Sequence, residues 1–263
     1  MTNKSANNSN SRRDFLKSAA AAAMGPAVLA NSGCSSTPSA SRVKKNSIIE
    51  KGFTVLFQGD SITDGDRERK RGEIANDPRA LGTGYAFNIA SRLLADRPND
   101  GLKFFNRGNS GWKVPQLADS WGRNCIAIKP DVLSILIGVN DFWHTIAFGA
   151  KFKGTVKTYE TGYRELLQRT FKELPNIKLI ICEPFVLRCG VVNEKWFPQF
   201  DQYRAVAKKM ADEFDALFVP FQTMFDKAAE KTPPEYWLYD GVHPSNPGAQ
   251  LMAREWLRVV GVG

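Results

Sequence analysis

The sequence predicts an α/β fold on a mainly parallel sheet, and two observations carry that prediction. Short apolar, partly β-branched runs alternate with longer amphipathic ones, and the short runs lead into Gly, Asn, Glu or Pro. Strands are expected over residues 53–57, 102–105, 132–137, 179–182 and 217–219. Helices are expected over residues 85–95, 114–126, 156–174, 199–214 and 247–260, where apolar residues recur every three or four positions, as in Tyr163, Leu166, Leu167 and Phe171. Strands separated by helices imply right-handed crossovers that cover both faces of the sheet. In such a sheet ligands bind outside the carboxyl ends of the strands.

The chain has 263 residues, which suits one domain of this class with an extension. The extension is N-terminal. Residues 1–10 are polar, Ser11-Arg12-Arg13-Asp14-Phe15-Leu16-Lys17 follows, and an alanine-rich stretch runs from Ala19 to Ala30. That stretch is too short to span a bilayer and fits the apolar region of a signal peptide. The arginine pair resembles a twin-arginine export signal, so residues 1–30 are expected to be a leader that directs a bacterial protein to the periplasm or the exterior. Val28-Leu29-Ala30 offers a cleavage site, whereas Ser32-Gly33-Cys34 resembles the end of a lipoprotein box, with Asn31 where that motif has leucine. A membrane link is expected only through such an anchor at Cys34. Residues 31–47, rich in Ser, Asn, Pro and Lys, read as a flexible linker to a domain spanning 48–263.

The formal net charge is +9, and Lys4, Arg12, Arg13 and Lys17 against Asp14 place +3 of it in the leader. The remaining basic residues are scattered and form no aromatic-interleaved patch, which argues against nucleic acid as a partner. The four cysteines, Cys34, Cys125, Cys182 and Cys189, are too irregular for a zinc site or a disulfide scaffold, so no metal is expected. Cys182 and Cys189 are candidates either for pairing or for buried free thiols.

Polar residues follow the expected strands. The first runs into Gly59-Asp60-Ser61, the second into Asn106-Arg107-Gly108-Asn109, and the third into Gly138-Val139-Asn140-Asp141. Ser61, Gly108 and Asn140 are thereby delivered to one sheet edge. Asp240-Gly241-Val242-His243 precedes the last helix, where the chain can return to that edge. A serine nucleophile needs a base, a carboxylate to hold the imidazole, and donors aimed at a developing oxyanion. The chain has two histidines, His144 and His243, and only His243 has an aspartate three residues upstream.

These blocks, in this order across residues 53–260, resemble the SGNH, or GDSL-type, esterase and acylhydrolase superfamily. The resemblance implies a three-layer α/β/α sandwich with a flavodoxin-like five-stranded parallel sheet. It implies Ser61 as nucleophile, His243 as general base and then acid, and Asp240 as the orienting carboxylate. It also implies an oxyanion hole from the Ser61 and Gly108 N–H groups and the Asn140 amide, and no cofactor. The Gly-x-Ser-x-Gly elbow of the α/β-hydrolases is absent around Ser61.

Other roles exist for these residues. Ser61 suits a helix cap, Asn140 a strand-end turn, and Asp60 and Asp64 a turn that braces the nucleophile loop. The spacing of Asp60, Asp64 and Asp66 lacks the alternate-residue pattern of a calcium loop. Asp60, Trp112, Trp143, His144 and Trp237 are candidates for a substrate pocket, with Trp196 as a further nearby indole. Indoles stack on sugar rings but also serve as core packing. The Asp141-Phe142-Trp143-His144 and Glu235-Tyr236-Trp237 segments resemble the branch acting on acetylated carbohydrates. The expected substrate is therefore a small-molecule or polysaccharide ester bearing a short acyl group. The alternatives are a lysophospholipase or thioesterase, and a non-catalytic glycan-binding protein on the same fold.

Overall fold

The computed structural model describes residues 47–262. The leader, the linker up to residue 46 and Cys34 lie outside the described residues. Five strands form one sheet: β1 (Thr54–Gly59), β2 (Lys103–Asn106), β3 (Val132–Leu136), β4 (Lys178–Cys182) and β5 (Leu217–Val219). All pairs are parallel and the order is β2-β1-β3-β4-β5. This is the doubly wound flavodoxin order, whose direction of winding reverses between β1 and β3 and opens a crevice there. β3 is fully buried, as a strand covered on both faces should be.

The longer helices make the two outer layers. α1 (Ser61–Asp64) and α2 (Pro78–Leu81) are short, and α3 (Tyr85–Asp96), α4 (Val114–Asn124), α5 (Val139–Ile146), α6 (Val156–Glu173), α7 (Gln199–Glu213), α8 (Phe221–Ala229), α9 (Pro234–Trp237) and α10 (Asn246–Val259) follow. α3, α8 and α10 pack together on one side, and α4, α6 and α7 on the other. Each helical layer holds a buried indole that finds a hydroxyl, one across to the sheet and one within the layer. Trp256 of α10 donates to Ser134 Oγ on β3 at 3.0 Å, and Trp121 of α4 donates to Thr170 Oγ1 on α6 at 2.9 Å. A buried N–H left unpaired would cost about 1–3 kcal/mol, so these bonds specify how the helices dock.

The five expected helices are present; the short α1, α2 and α9 add to them, and so do the longer α5 and α8. Both follow directly after a strand end, and each is apolar on one side, through Val139 and Phe142 in α5 and Phe221 and Phe225 in α8. Two turns are too short to announce a period of 3.6 in the sequence. Cys125, Cys182 and Cys189 are buried and free, so the pairing of Cys182 with Cys189 does not occur. Cys189 Sγ instead donates to the Leu238 carbonyl at 3.3 Å.

Candidate active site

β1 ends at Gly59, where a side chain would overlap the Leu136 carbonyl and Thr63 Oγ1. The chain can therefore turn sharply into α1. Asp60 caps that helix, its Oδ1 accepting the Ile62 N–H at 3.0 Å. Ser61 is the first helical residue, and its N–H has no acceptor within the helix. Asp64, at the end of α1, is buried and pairs with Arg69. It also accepts the Ser110 N–H at 3.0 Å, which ties the Ser61 turn to the segment after β2.

Asp240 and His243 sit on a turn fixed to the segment after β4. Leu187 N–H donates to the Gly241 carbonyl and Val191 N–H to the Asp240 carbonyl, both at 2.9 Å. Gly241 has φ +88, and a methyl group there would overlap the Cys189 carbonyl, so the turn requires glycine. Asp240 Oδ1 accepts the N–H groups of Val242 and His243 at 2.9 and 2.7 Å. Its Oδ2 lies 2.7 Å from His243 Nδ1, and His243 Nε2 lies 2.8 Å from Ser61 Oγ. One imidazole therefore bridges a carboxylate and a hydroxyl. This is the geometry needed to draw a proton from serine.

The charges around the imidazole favour its protonated form. Burial pulls the His243 pKa down, but the hydrogen bond and charge of Asp240, with Asp60 and Asp66, outweigh it and hold the pKa above 6.5. For Asp240, burial pushes the pKa up, and the bonds from His243 and Val242 bring it below the usual aspartate value. Asp60 is different. It is 1 % exposed, and burial raises its pKa to about 7 against the opposing Ile62 bond and His243 charge.

Asn140 lies in the first turn of α5, 3 % exposed, and its Nδ2 donates to the Trp112 carbonyl at 3.2 Å. An amide nitrogen carries two hydrogens, so one remains for a ligand. Its neighbour Asp141 accepts the Val114 N–H at 3.1 Å. Together the two residues fasten α5 to the segment before α4. Gly108 is placed differently from its expected role. Its N–H donates to Asn106 Oδ1 at 2.9 Å, and a methyl group on it would overlap Asp64 N. That N–H is committed inside the protein. Gly111, three residues on at φ +77, has an N–H that makes no hydrogen bond among the described residues. The Asn-Ser-Gly turn at 109–111 is the sequence signal that could have marked it.

A cavity of about 530 Å³ lies over Ser61 and His243, lined also by Asp66, Ser110, Tyr239 and Asn246. Of the expected pocket residues, Trp143 has its ring centroid 6.2 Å from that of His243, but Trp143, Trp112 and His144 do not line this cavity. Trp112 is half-buried against the core and offers its carbonyl to Asn140. His144 packs on Phe148, and its Nδ1 lies 3.3 Å from Lys113 Nζ. Asp60 and Trp237 do not line the cavity, because Asp60 is spent on the cap and Trp237 packs edge-on against Tyr236. Trp196 is core, 1 % exposed. Two tyrosines line the cavity, the buried Tyr85 and the exposed Tyr239, whose ring stacks on His243 at 5.9 Å and 16°.

Comparison with known proteins places this geometry among relatives. Residues 57–251 match the GDSL-like lipase/acylhydrolase family, and residues 9–28 match the twin-arginine translocation pathway signal sequence. An acetylxylan esterase of Geobacillus stearothermophilus is 37 % identical over 216 residues, covering 81 % of this chain and 96 % of that protein. A GDSL-like lipase structure from Parabacteroides merdae is 48 % identical with a TM-score of 0.78, covering 82 % of this chain and 98 % of that one. A crystal structure of the Geobacillus acetylxylan esterase is 35 % identical with a TM-score of 0.74, over 82 % of this chain and 97 % of that one. Catalytic mutants of that esterase replace a serine, an aspartate or a histidine by alanine. The mutated aspartate and histidine stand three residues apart, the spacing of Asp240 and His243 here.

Proposed function

The chain belongs to the GDSL-like lipase/acylhydrolase family and is an esterase, and from that premise we propose that it removes acetyl groups from carbohydrates by a Ser-His-Asp acyl-enzyme mechanism. The observation that carries this reading is the hydrogen-bonded line Ser61–His243–Asp240, at 2.8 and 2.7 Å, at the crevice between β1 and β3. Neutral His243 takes the Ser61 proton as Oγ attacks the ester carbonyl. Asp240 stabilises the imidazolium that forms, and the same imidazolium then protonates the departing sugar oxygen as its bond to the carbonyl carbon breaks, so that it leaves as a hydroxyl. Water then attacks the acetyl-enzyme as His243 takes its proton, and His243 passes that proton to Ser61 Oγ as acetate leaves.

The tetrahedral oxyanion is met by the Ser61 N–H, the free Asn140 amide hydrogen and the Gly111 N–H. Gly111 takes the place expected of Gly108, since it precedes the Trp112 carbonyl that Asn140 holds. Removing one donor of this kind costs about 3 kcal/mol of transition-state stabilisation.

Polar lining supports a carbohydrate over a lipid chain. Asp66, Ser110 and Asn246 border the cavity, and an acyl chain would strip water from them without replacing its hydrogen bonds. The N-terminal match marks the chain for export across the membrane, and the reading puts its glycan substrates in the periplasm or outside the cell. On the same reading residues 1–30 are the leader, residues 31–47 a linker and residues 48–263 the hydrolase domain. The test is acetate release across a panel of acetylated polysaccharides, with a chain-length series of p-nitrophenyl esters beside it. Acetate release and a steep fall beyond short acyl groups are expected. Hydrolysis of long-chain lysophospholipids with no release from acetylated glycans would overturn the proposal.

A further inference from the structure

The cavity over Ser61 continues beyond it. Asp66 and Thr83, which line it, also line a second cavity of about 530 Å³ that reaches Phe87 and Asn88 on α3. Between the two run the loops that carry Gly65 and Gly82. Gly65 and Gly82 hold φ +52 and +80, and a methyl group on Gly82 would overlap the Gly65 carbonyl. The Thr83 N–H donates to that same carbonyl at 2.7 Å, so the two loops form one floor. The space a side chain would need is taken by backbone in both cases, Gly84 N beside Gly65 and the Gly65 and Asp64 carbonyls beside Gly82, so positive φ here seats one loop on the other and fixes the shape of that floor.

The walls have a chemistry of their own. Tyr239 is 62 % exposed, with its ring parallel to that of His243, so it offers a flat apolar face directly beside the imidazole. Asp66 stands exposed at the junction of the two cavities. A carboxylate accepts hydrogen bonds and donates none when ionised, so its natural partners are hydroxyls. Phe87, half-buried, supplies a second aromatic surface at the far end. A ligand with alternating apolar ring faces and hydroxyl edges matches this sequence of surfaces. A hydrocarbon chain would bury the Asp66 carboxylate unpaired, which is costly.

Resting on the acetyl-carbohydrate reading, we infer that the two cavities form one glycan cleft. The acetylated sugar lies over Ser61 with a face toward Tyr239. Neighbouring sugar units cross the Gly65 and Gly82 floor, donate hydroxyls to Asp66, and reach Phe87. The enzyme therefore selects acetylated oligosaccharides over acetylated monosaccharides.

The test compares kcat/KM for acetate release from acetylated xylose with that from acetylated xylo-oligosaccharides of increasing length. Wild type should gain about tenfold with length, the worth of one added aromatic contact, and then level off once the cleft is filled. Arg79→Trp and, independently, Asn88→Trp fill the second cavity without touching the one over Ser61, and should bring the oligosaccharide-to-monosaccharide ratio toward one, with folding checked by circular dichroism. A flat length profile in wild type, or a length dependence that survives both variants, would overturn the cleft while leaving the deacetylase reading intact. No release from any acetylated sugar, with p-nitrophenyl acetate still hydrolysed, would overturn that reading and the cleft with it.

Discussion

Replacing Asp141 by asparagine changes a charge at the base of the site while keeping its shape. Asp141 is 2 % exposed, its Oδ1 holds the Val114 N–H, and its Oδ2 is buried without a partner. Burial pushes its pKa from 3.8 up to about 7, opposed by the Val114 bond and Lys113 and reinforced by the charge of Asp60. A folded-state pKa raised in this way gives stability that is full below 3.8 and is lost as the pH rises toward 7. Asparagine does not titrate, and it still offers an oxygen to Val114. Each pH unit within that window is worth about 1.4 kcal/mol for a single group. The stability of Asp141→Asn relative to wild type should therefore grow by about 3 kcal/mol between about pH 5 and about pH 8. Asp60 titrates in the same window in both proteins and cancels from the difference to first order. Urea denaturation followed by tryptophan fluorescence at the two pH values measures it. An equal difference at both would refute the claim that burial, and not lost packing, governs this carboxylate.

Three further outcomes are expected. Asn140→Ala should lower kcat by about 10²–10³-fold with little change in KM, because the amide is directed at charge that develops only in the transition state; a pure KM effect would remove it from the oxyanion hole. The acid limb of kcat/KM should have its midpoint above 6.5, since His243 must be neutral to act and its surroundings hold its pKa up; a midpoint at or below 6.5 would contradict the claim that Asp240, Asp60 and Asp66 together outweigh burial. Gly108→Ala should destabilise the protein, because the added methyl group meets Asp64 N and the Thr63 backbone under α1. An unchanged Tm in that variant would show that α1 can move freely.

Much of the fold was legible because it rests on local patterns. Val132–Leu136 is apolar except for Ser134, and a short run of that kind between amphipathic segments reads as a buried parallel strand. The line from Ser61 to Asp240 was legible for a related reason: an Asp-x-x-His turn binds its own backbone, so spacing alone brings the carboxylate to the imidazole. What escaped the sequence depends on partners distant along the chain. Whether the Gly108 N–H is free is settled by how the Asn106 side chain turns, and periodicity does not report that. Tyr239 gave no signal of its own beside the more conspicuous indoles, and only the fold distinguishes its exposed ring from the buried Trp196. The burial of Asp60 and Asp141 is likewise a tertiary property, and it turns two ordinary turn-type residues into carboxyls that titrate near pH 7.

The central claim is that Ser61 carries the acyl group, and a rapid-quench experiment with intact-protein and peptide mass spectrometry tests it most directly. With an acetylated substrate in excess, one acetyl group should appear on the peptide that contains Ser61, and it should be absent from Ser61→Ala. An acetyl group found on another residue, or full turnover by Ser61→Ala, would contradict the account.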